Sequence, residues 1–290
     1  MRLPCGAAAW SGRSCVNGGA HNVQHMTASD GLGIAYTIDD YTDPWRTAPT
    51  LILLHSAMSS SRRLYAMVPH LARRYRVVRM DLRGHGESTV PRADQPLMLA
   101  RLTQDLLELI DHLEVKAAHL LGVSGGGYLA QQIAIHQPAR VLSLLLFASR
   151  PGFKDSKGAA WIPEMERMGL SAFIASTLAE RLPVEQLSKA QIAWFLDEIA
   201  RNDESFVKRF VLYMTTQYWM DDIARIQCPT LIVAPAGDAI GNASAYADMH
   251  KRIRGSELVT YDVANHNICD YLPDRCASDA LNFLQRHFPP

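Results

Sequence analysis

The chain is short of net charge and of long apolar runs. Its 29 Lys and Arg residues balance 29 Asp and Glu residues over 290 residues, so there is no basic field to attract nucleic acid or an anionic membrane. No apolar stretch approaches the ~20 residues that cross a bilayer. The sequence therefore predicts no nucleic-acid partner and no membrane anchor.

Cysteine is also scarce and irregularly spaced. The five cysteines are Cys5, Cys15, Cys228, Cys269 and Cys276. An odd number without metal-ligand spacing predicts neither a disulfide framework nor a metal site. We therefore expect reduced thiols, a cytoplasmic protein and no bound metal.

The first 25 residues lack a periodic apolar pattern. Pro4 and Gly6 interrupt the stretch after Arg2, and no apolar core follows that would make a signal peptide. The segment that begins at Met26 resembles a natural protein start. We expect residues 1–25 to be a disordered extension or the product of an upstream start.

What is present is an alternation of strands and helices. Strands are expected at 33–38, 50–55, 76–82, 118–123, 141–148, 229–234 and 257–263, and helices at 60–74, 97–114, 126–137, 243–253 and 274–287. Continuous Val, Ile and Leu strands between helices predict a mostly parallel sheet covered on both faces. One helix carries leucines at helical spacing, which predicts a core-facing stripe: Leu102, Leu106, Leu109 and Leu113.

Residues 120–130 read Leu-Leu-Gly-Val-Ser-Gly-Gly-Gly-Tyr-Leu-Ala, an apolar strand that passes through Gly-x-Ser-x-Gly into a helical pattern. A sharp strand-to-helix turn strains its central residue and needs small neighbours, which Gly122 and Gly126 provide. The hydroxyl of Ser124 would then project beyond the strand, beside N–H groups that can stabilise an oxyanion. This stretch predicts a nucleophilic serine.

A serine needs a base, usually a histidine oriented by a carboxylate, to attack at neutral pH. Among eleven histidines, His266 lies in the loop between the strand-like run 257–263 and the last helix. Asp238 closes a buried-type strand and a small-residue turn, at the edge of an open sheet where ligand sites gather. Ser124, Asp238 and His266 are predicted to form a catalytic triad because each follows a strand and their order is Ser, Asp, His. The alternatives are a solvated loop histidine and a capping or turn aspartate.

Another carboxylate could hold the histidine if it followed the strand 141–148. That strand ends in Ser149-Arg150, and the next carboxylate is Asp155. This spacing disfavours the alternative.

The second half of an oxyanion hole is expected after the strand 50–55. The N–H groups of Ala57, or alternatively Ser56, and of Gly125 are the predicted donors. His55 has two interpretations, a second base or a side chain that braces this loop, and bracing is favoured.

Further motifs accompany this constellation: Leu53-Leu-His-Ser, Met80-Asp-Leu-Arg-Gly-His-Gly-Glu-Ser and Cys228-Pro-Thr-Leu-Ile-Val. With the triad, they resemble the lid-bearing esterase, lactonase and enol-lactonase-like members of the α/β-hydrolase superfamily over residues 27–290. The resemblance implies the α/β-hydrolase fold, a mostly parallel central sheet flanked by helices with a helical lid insertion. It implies a core domain at 26–149 and 223–290 and a lid at 150–222.

Three residues depart from the family's pattern without removing a reacting group. Ser56 replaces the usual glycine after the histidine of the oxyanion loop, Pro235 stands where a glycine often precedes the acid turn, and Asn265 replaces the glycine before His266. The serine at position 124 argues against dehalogenases and epoxide hydrolases, which carry an aspartate there.

The lid segment is rich in aromatic residues and methionine, which would line an apolar and adaptable pocket. The alternative is that most of these side chains pack the lid onto the core. The residues predicted to contact substrate are Ser56, Met58, Trp161, Trp194 and Trp219. Arg150, at the entrance to the lid, could bind a substrate carboxylate, but a surface or ion-pair role is favoured.

The sequence thus predicts a cofactor-independent serine hydrolase that cleaves a carboxylic ester or lactone of an apolar small molecule through an acyl-enzyme. One alternative is cleavage of a carbon–carbon bond or a thioester by the same triad. Another is a non-catalytic receptor of the same fold that captures a ligand. Both a monomer and a homodimer are compatible with the sequence.

Overall fold

A computed structural model describes residues 22–154 and 156–289. The strands in this part of the chain are β1 (Gln24–Thr27), β2 (Gly33–Asp39), β3 (Thr50–Leu54), β4 (Arg76–Met80), β5 (Ala118–Val123), β6 (Val141–Phe147), β7 (Thr230–Pro235) and β8 (Glu257–Tyr261). The α-helices are α1 (Val68–Leu71), α2 (Leu99–His112), α3 (Gly125–His136), α4 (Gly158–Met168), α5 (Leu170–Ser176), α6 (Leu178–Arg181), α7 (Lys189–Ala200), α8 (Glu204–Met214), α9 (Ala243–Arg252), α10 (Ile268–Tyr271) and α11 (Pro273–His287). Short 3-10 helices occupy Ser61–Met67, Pro138–Arg140, Val184–Gln186 and Ile223–Arg225.

The strands form one sheet in the order β1-β2-β4-β3-β5-β6-β7-β8. Neighbours from β4 to β8 run parallel, whereas β2 runs antiparallel to both β1 and β4. The central strands β3 and β5 are mostly aliphatic and are buried along their whole length, as expected where helices cover both faces. The predicted fold class, a mostly parallel sheet flanked by helices, is confirmed.

The two faces of the sheet pack against different helices. Ile52 and Leu54 of β3 belong to a core that includes α2, α3 and α9, and the intervening Leu51 and Leu53 belong to a core with α1 and α11. This alternation follows from the two-residue period of a strand. The leucine stripe of α2 is buried in the first core, as predicted.

The parallel arrangement determines where chemistry can gather. Strands β3, β5, β7 and β8 run in one direction, so the loops that follow them leave the sheet at one edge. These loops carry Ser56, Ser124, Asp238 and His266. Residues far apart in the chain are therefore brought to a common site at the carboxyl ends of the strands.

The sequence does not predict β1, because Gln-His-Met-Thr is short and polar. Antiparallel pairing with β2 holds it, with Gln24 opposite Tyr36. Of the extension predicted at residues 1–25, residues 1–21 lie outside the described part of the chain. The predicted end of the extension at residue 25 is wrong, since Gln24 and His25 belong to β1.

The helix predicted at 60–74 is divided into the 3-10 segment Ser61–Met67 and the short helix α1. Pro69 explains the division. In the first turn of α1 its missing N–H is harmless, whereas within a continuous helix it would lose the hydrogen bond to the carbonyl of Tyr65.

Helices α4 to α8 form an insertion between β6 and β7. The two stems of the insertion meet in an isolated antiparallel bridge between Gly152 and Tyr218. Phe195, Phe206 and other insertion residues belong to the same apolar core as the sheet, so the insertion is packed onto the body of the protein. No helix within the described residues is both long and apolar enough to span a membrane.

Two histidines are enclosed where the loops after β3 and β4 meet the insertion. His85 packs edge-on against His55 and against the rings of Phe206 and Phe210. Burial lowers the pKa of His55 to about 4. Burial and the neighbouring His55 lower the pKa of His85 to about 3. Both rings are therefore neutral at pH 7.

The protein is expected to lose unfolding free energy as the pH falls from about 6.5 to about 4. An unfolded histidine binds a proton near pH 6.5, whereas the buried rings stay neutral, so acid favours the unfolded state in this window. In His85→Gln, the loss between pH 7 and pH 5 should be smaller by about 1–2 kcal/mol. Urea unfolding at the two pH values measures it.

The matched control is His136→Gln, because His136 is exposed at the end of α3. Between pH 7 and pH 5, the His136→Gln variant should lose as much unfolding free energy as the wild type. If His85→Gln lost as much unfolding free energy as the wild type, the buried neutral state of His85 would be wrong.

Candidate active site

Ser124 joins β5 to α3 with a backbone that L-residues rarely adopt, at φ 48° and ψ −116°. Its N–H donates to the carbonyl of Phe147 over 2.9 Å. Its own carbonyl accepts from Ser149 Oγ at 2.7 Å and from the Gly127 N–H at 3.0 Å. These bonds to β6 and α3 hold the strained turn in place.

Two glycines allow this turn because backbone passes close to both. A Cβ at Gly122 would lie 2.3 Å from the Cα of Gly127, and a Cβ at Gly126 would lie 2.4 Å from the carbonyl oxygen of Leu54. Any larger residue would push α3 away from β3 and β5. The turn therefore requires glycine at both positions, as the sequence motif predicts.

The three residues predicted to act together lie in one hydrogen-bonded chain. Nδ1 of His266 lies 2.9 Å from each carboxylate oxygen of Asp238, and Nε2 lies 2.9 Å from Ser124 Oγ. Because an ionised carboxylate only accepts, Nδ1 carries the proton and Nε2 accepts from the Ser124 hydroxyl. His266 and Asp238 are buried, so water competes little for these bonds.

Asp238 is held as an anion by its surroundings. Burial by itself raises the pKa of this carboxyl, but the charge and hydrogen bond of His266, the Tyr246 hydroxyl and the Gly241 N–H together lower it to about 2. Tyr246 Oη donates to Oδ2 at 2.6 Å, and the Gly241 and Ile240 N–H groups donate to Oδ1 at 2.8 and 3.0 Å. The carboxylate is therefore ionised and fixed in orientation.

Two backbone donors adjoin the serine. A Cβ on Gly125 would lie 3.1 Å from the nitrogen of Ala57, so the two residues are neighbours. Both line one cavity with Ser124. Neither N–H donates a hydrogen bond within residues 22–154 and 156–289. Neighbouring unpaired N–H groups are what an oxyanion hole requires, and that role of Ala57 and Gly125 stays a prediction.

His55 lies behind this loop and has no free nitrogen. Its Nδ1–H donates to the carbonyl of Ser56 at 2.7 Å, and its Nε2 accepts from the Leu82 N–H at 2.9 Å. With both nitrogens occupied and the ring neutral, His55 braces the loop. The alternative of a second base is not supported.

The cavity beside Ser124 is mostly apolar, and much of its wall comes from the insertion: Phe153, Trp161, Ile174, Phe195, Phe210, Val211 and Met214. Three residues predicted to contact substrate, Ser56, Met58 and Trp161, line it.

Trp194 and Trp219 do not line this cavity, which corrects the expectation for both. Trp194 packs edge-on against Tyr65, with ring centroids 5.3 Å apart. Trp219 lies behind Tyr128 at a centroid distance of 5.4 Å, and its Nε1–H donates to Gln131 at 3.0 Å. Spacing in the sequence could not distinguish the inner and outer faces of the insertion.

Arg150 is also absent from the cavity wall. Its Nε–H donates to the carbonyl of Gly152 at 2.9 Å, and its Nη2–H donates to the carbonyl of Lys154 at 2.5 Å. Arg150 therefore shapes the first stem of the insertion. Asp155, the alternative acid, lies outside the described residues.

The loop that carries His266 is tied to the insertion through α6. The Asn265 side chain donates to the carbonyl of Ala179 at 2.7 Å. The N–H groups of His266 and Asn267 donate to the carbonyls of Glu180 and Arg181 at 3.0 and 3.1 Å. Asn265 thus supplies a bond that the family's usual glycine could not.

Three residues of the site have no signal in the sequence. Tyr246 faces Asp238 from α9, and Arg63 and Arg181 line the cavity from the 3-10 segment Ser61–Met67 and from α6. Each reaches the site through tertiary packing. Which partner such a side chain has, or lacks, is known only once the fold is known.

A sequence model described as alpha/beta hydrolase family matches residues 51–279. The magnesium-chelatase 30 kDa subunit of Rhodobacter capsulatus is 40% identical over 256 residues, which cover 82% of this chain and 87% of that protein. The 3-oxoadipate enol-lactonase 1 of Acinetobacter baylyi is 25% identical over 75% of this chain and 82% of its own length. The crystal structure of a hydrolase from Pseudomonas aeruginosa PA01 superposes with a TM-score of 0.81 at 31% identity, covering 92% of this chain and 99% of the other.

Removing the Tyr246 hydroxyl should disturb Asp238 without touching Ser124. In Tyr246→Phe the carboxylate loses a hydrogen bond to its charged form, so the pKa of Asp238 rises and the orientation of His266 loosens. We expect kcat for an active ester to fall about 10-fold, in keeping with a hydrogen bond to a charged group. KM should stay within about twofold because the hydroxyl does not line the cavity.

Tyr36→Phe is the matched control. Tyr36 is also buried, and its hydroxyl contacts Gln24 and His112 at the other end of the sheet. That variant should lose stability but keep kcat. Equal kcat values for Tyr246→Phe and Tyr36→Phe would mean that Tyr246 only packs.

Proposed function

Because this chain belongs to the alpha/beta hydrolase family, we propose that it is a serine-dependent hydrolase that cleaves a carboxylic ester or lactone of a small molecule. The observation that carries the proposal is the continuous hydrogen-bonded chain from Ser124 through His266 to Asp238. The enol-lactonase relative agrees with this reaction class.

In the proposed reaction, Ser124 Oγ attacks the carbonyl carbon while Nε2 of His266 takes its proton. The resulting imidazolium is stabilised by the anionic Asp238, whose low pKa keeps it from taking the proton itself. His266 then protonates the leaving alkoxide, which leaves an acyl group on Ser124. A water that gives its proton to His266 attacks the acyl-enzyme, and Ser124 is released with its hydrogen restored.

The carbonyl oxygen becomes an anion during each attack. The free N–H groups of Ala57 and Gly125 are the donors proposed to stabilise it. The N–H of Gly125 also begins α3, so the positive end of the helix dipole adds to the effect. His55 and the strained Met58, at φ 58°, shape the loop that presents Ala57.

The insertion is proposed to act as a lid. Its aromatic and methionine side chains exclude water from Ser124 and offer an apolar surface to the substrate. Ser56, Met58 and Trp161 are the predicted contacts that line this surface. A lactone and a small ester both fit the reaction, with the lactone slightly preferred.

A second candidate is a non-catalytic role in which the same cavity captures a ligand. The observation in its favour is the relative described as a subunit of magnesium chelatase. An intact triad does not decide between the two, because a receptor of this fold can keep one. Cleavage of a carbon–carbon bond or a thioester is the other catalytic alternative.

The direct test is a hydrolysis screen with 4-nitrophenyl esters of increasing chain length and lactones of increasing ring size. The wild type should turn over at least one substrate many times. Ser124→Ala should lower kcat by about 10⁴-fold or more, since only the oxyanion donors and the cavity would remain. The substrate that is hydrolysed fastest defines the usable length of the cavity.

Hydrolysis that persists in Ser124→Ala would contradict the mechanism. A folded wild type that releases at most one equivalent of 4-nitrophenol would favour the ligand-binding role instead. Circular dichroism and thermal unfolding of both proteins exclude loss of fold as the reason.

A further inference from the structure

Two arginines line the cavity that contains Ser124, and no Asp or Glu lines it among the described residues. Arg63 and Arg181 are 4% and 5% exposed. A guanidinium cannot lose its charge at neutral pH, so burying it is costly unless an anion or several acceptors compensate. The hydrogen-bond partners of each arginine therefore show whether its buried charge is compensated within the protein.

Arg63 has a partner of its own. Its Nε–H and Nη2–H donate to the two carboxylate oxygens of Asp270 at 2.8 and 2.6 Å. This side-on pair is the geometry in which a planar guanidinium fits a carboxylate best. The face of Arg63 also lies 4.0 Å from the ring centroid of Phe195. Its charge is neutralised within the protein.

Arg181 has no such partner. Its Nη1–H donates to the carbonyl and hydroxyl of Thr177 at 3.1 and 2.7 Å. Nothing within residues 22–154 and 156–289 accepts from its Nε or Nη2, the edge that Arg63 uses for Asp270. Glu180 is the adjacent residue, but its carboxylate faces Lys157 at 3.6 Å.

The surroundings of Arg181 do not replace an anion. Trp161 and Phe173 lie with their ring centroids 5.4 and 5.8 Å from its guanidinium carbon, and such cation–π contacts are weaker than a paired carboxylate. Burial lowers the pKa of Arg181 to about 10; the charge of the adjacent Glu180 opposes this shift without cancelling it, and the charge of Arg63 adds to it. The side chain is thus a desolvated cation at neutral pH.

The position of Arg181 relative to the reacting groups is fixed by main chain. Its carbonyl accepts from the N–H of Asn267, and the carbonyl of Glu180 accepts from the N–H of His266. The backbone of Arg181 is therefore held next to the backbone of His266, and the bonds from Nη1 to Thr177 tie down the side chain. This is how a specificity-determining residue of a hydrolase should be mounted.

We propose that Arg181 binds a carboxylate of the substrate through Nε and Nη2, so that the substrate is an ester or lactone that also carries a free carboxylate. The inference rests on the proposed function and narrows it. The apolar wall of the cavity contacts the hydrocarbon part of the substrate. The ion pair between Arg181 and the carboxylate sets the orientation of the substrate in the cavity. A neutral ester of the same length lacks that anchor and leaves the guanidinium unpaired.

The test compares mono-4-nitrophenyl glutarate with 4-nitrophenyl pentanoate, which have the same chain length and differ in a terminal carboxylate or methyl group. We expect the wild type to prefer the glutarate ester in kcat/KM by about 10-fold or more. In Arg181→Gln that preference should disappear, mostly through KM. Arg181→Lys should show part of the preference, because lysine carries the positive charge but lacks the planar guanidinium that binds a carboxylate through two N–H groups.

Arg167→Gln is the matched control, since Arg167 is an exposed arginine of the same insertion that pairs with Glu164. It should keep the preference. An equal fall for both esters in Arg181→Gln would mean that Arg181 only supports α6 and the His266 loop. That result, or a wild type that prefers the pentanoate ester, would overturn the proposal.

A binding measurement separates this proposal from the proposed function. Calorimetry with Ser124→Ala, alone and combined with Arg181→Gln, uses the same two esters as ligands. Tighter binding of the glutarate ester that depends on Arg181 supports the anion site even if the wild type hydrolyses neither ester. Equal binding of the two esters overturns the site whether or not the wild type is a hydrolase.

Discussion

The site depends on one strained residue. Ser124 adopts a left-handed backbone, and this is possible only because Gly122 and Gly126 let α3 begin almost in contact with β5 and β3. The turn lifts the hydroxyl off the sheet and places the first N–H of α3 beside the loop after β3. The position of the Ser124 hydroxyl and that of the adjacent N–H groups are thus consequences of a single packing constraint.

The second constraint on the site is the compensation of its buried charges. The site contains one buried carboxylate, Asp238, whose negative charge is compensated by His266, a hydroxyl and two amides. In the wall of the cavity, Asp270 compensates the charge of Arg63, whereas no carboxylate in the described part of the chain forms a hydrogen bond with Arg181. In the proposed reaction the imidazole that becomes cationic has its counter-ion within the protein, and in the proposed anion site Arg181 takes its counter-ion from the ligand.

Local patterns carried much of the sequence prediction. The strand–turn–helix around Ser124 and the strand ends before Asp238 and His266 are short-range features, and the structure brings these residues to hydrogen-bonding distance. The fold class follows from apolar strands that alternate with helices. What could not be predicted depends on tertiary contacts. Strand β1 exists through its pairing with β2, and Trp194 and Trp219 turn away from the cavity because of how the insertion packs. Tyr246 was missed because its role depends on a hydrogen bond to Asp238, eight residues away. Arg181 was missed because its role depends on having no carboxylate partner among the described residues.

The three bonds between α6 and the His266 loop limit how this protein can change over evolution. Insertions of this kind can be regarded as exchangeable modules that vary while the sheet and its reacting groups persist. Here the insertion supplies the carbonyls that accept from the loop of His266, so a transplanted or redesigned insertion must present carbonyls at the same three positions. Otherwise the N–H groups of His266 and Asn267 lose their partners. New substrate preferences should therefore arise by side-chain replacement on the existing α6 backbone, not by exchange of the whole segment.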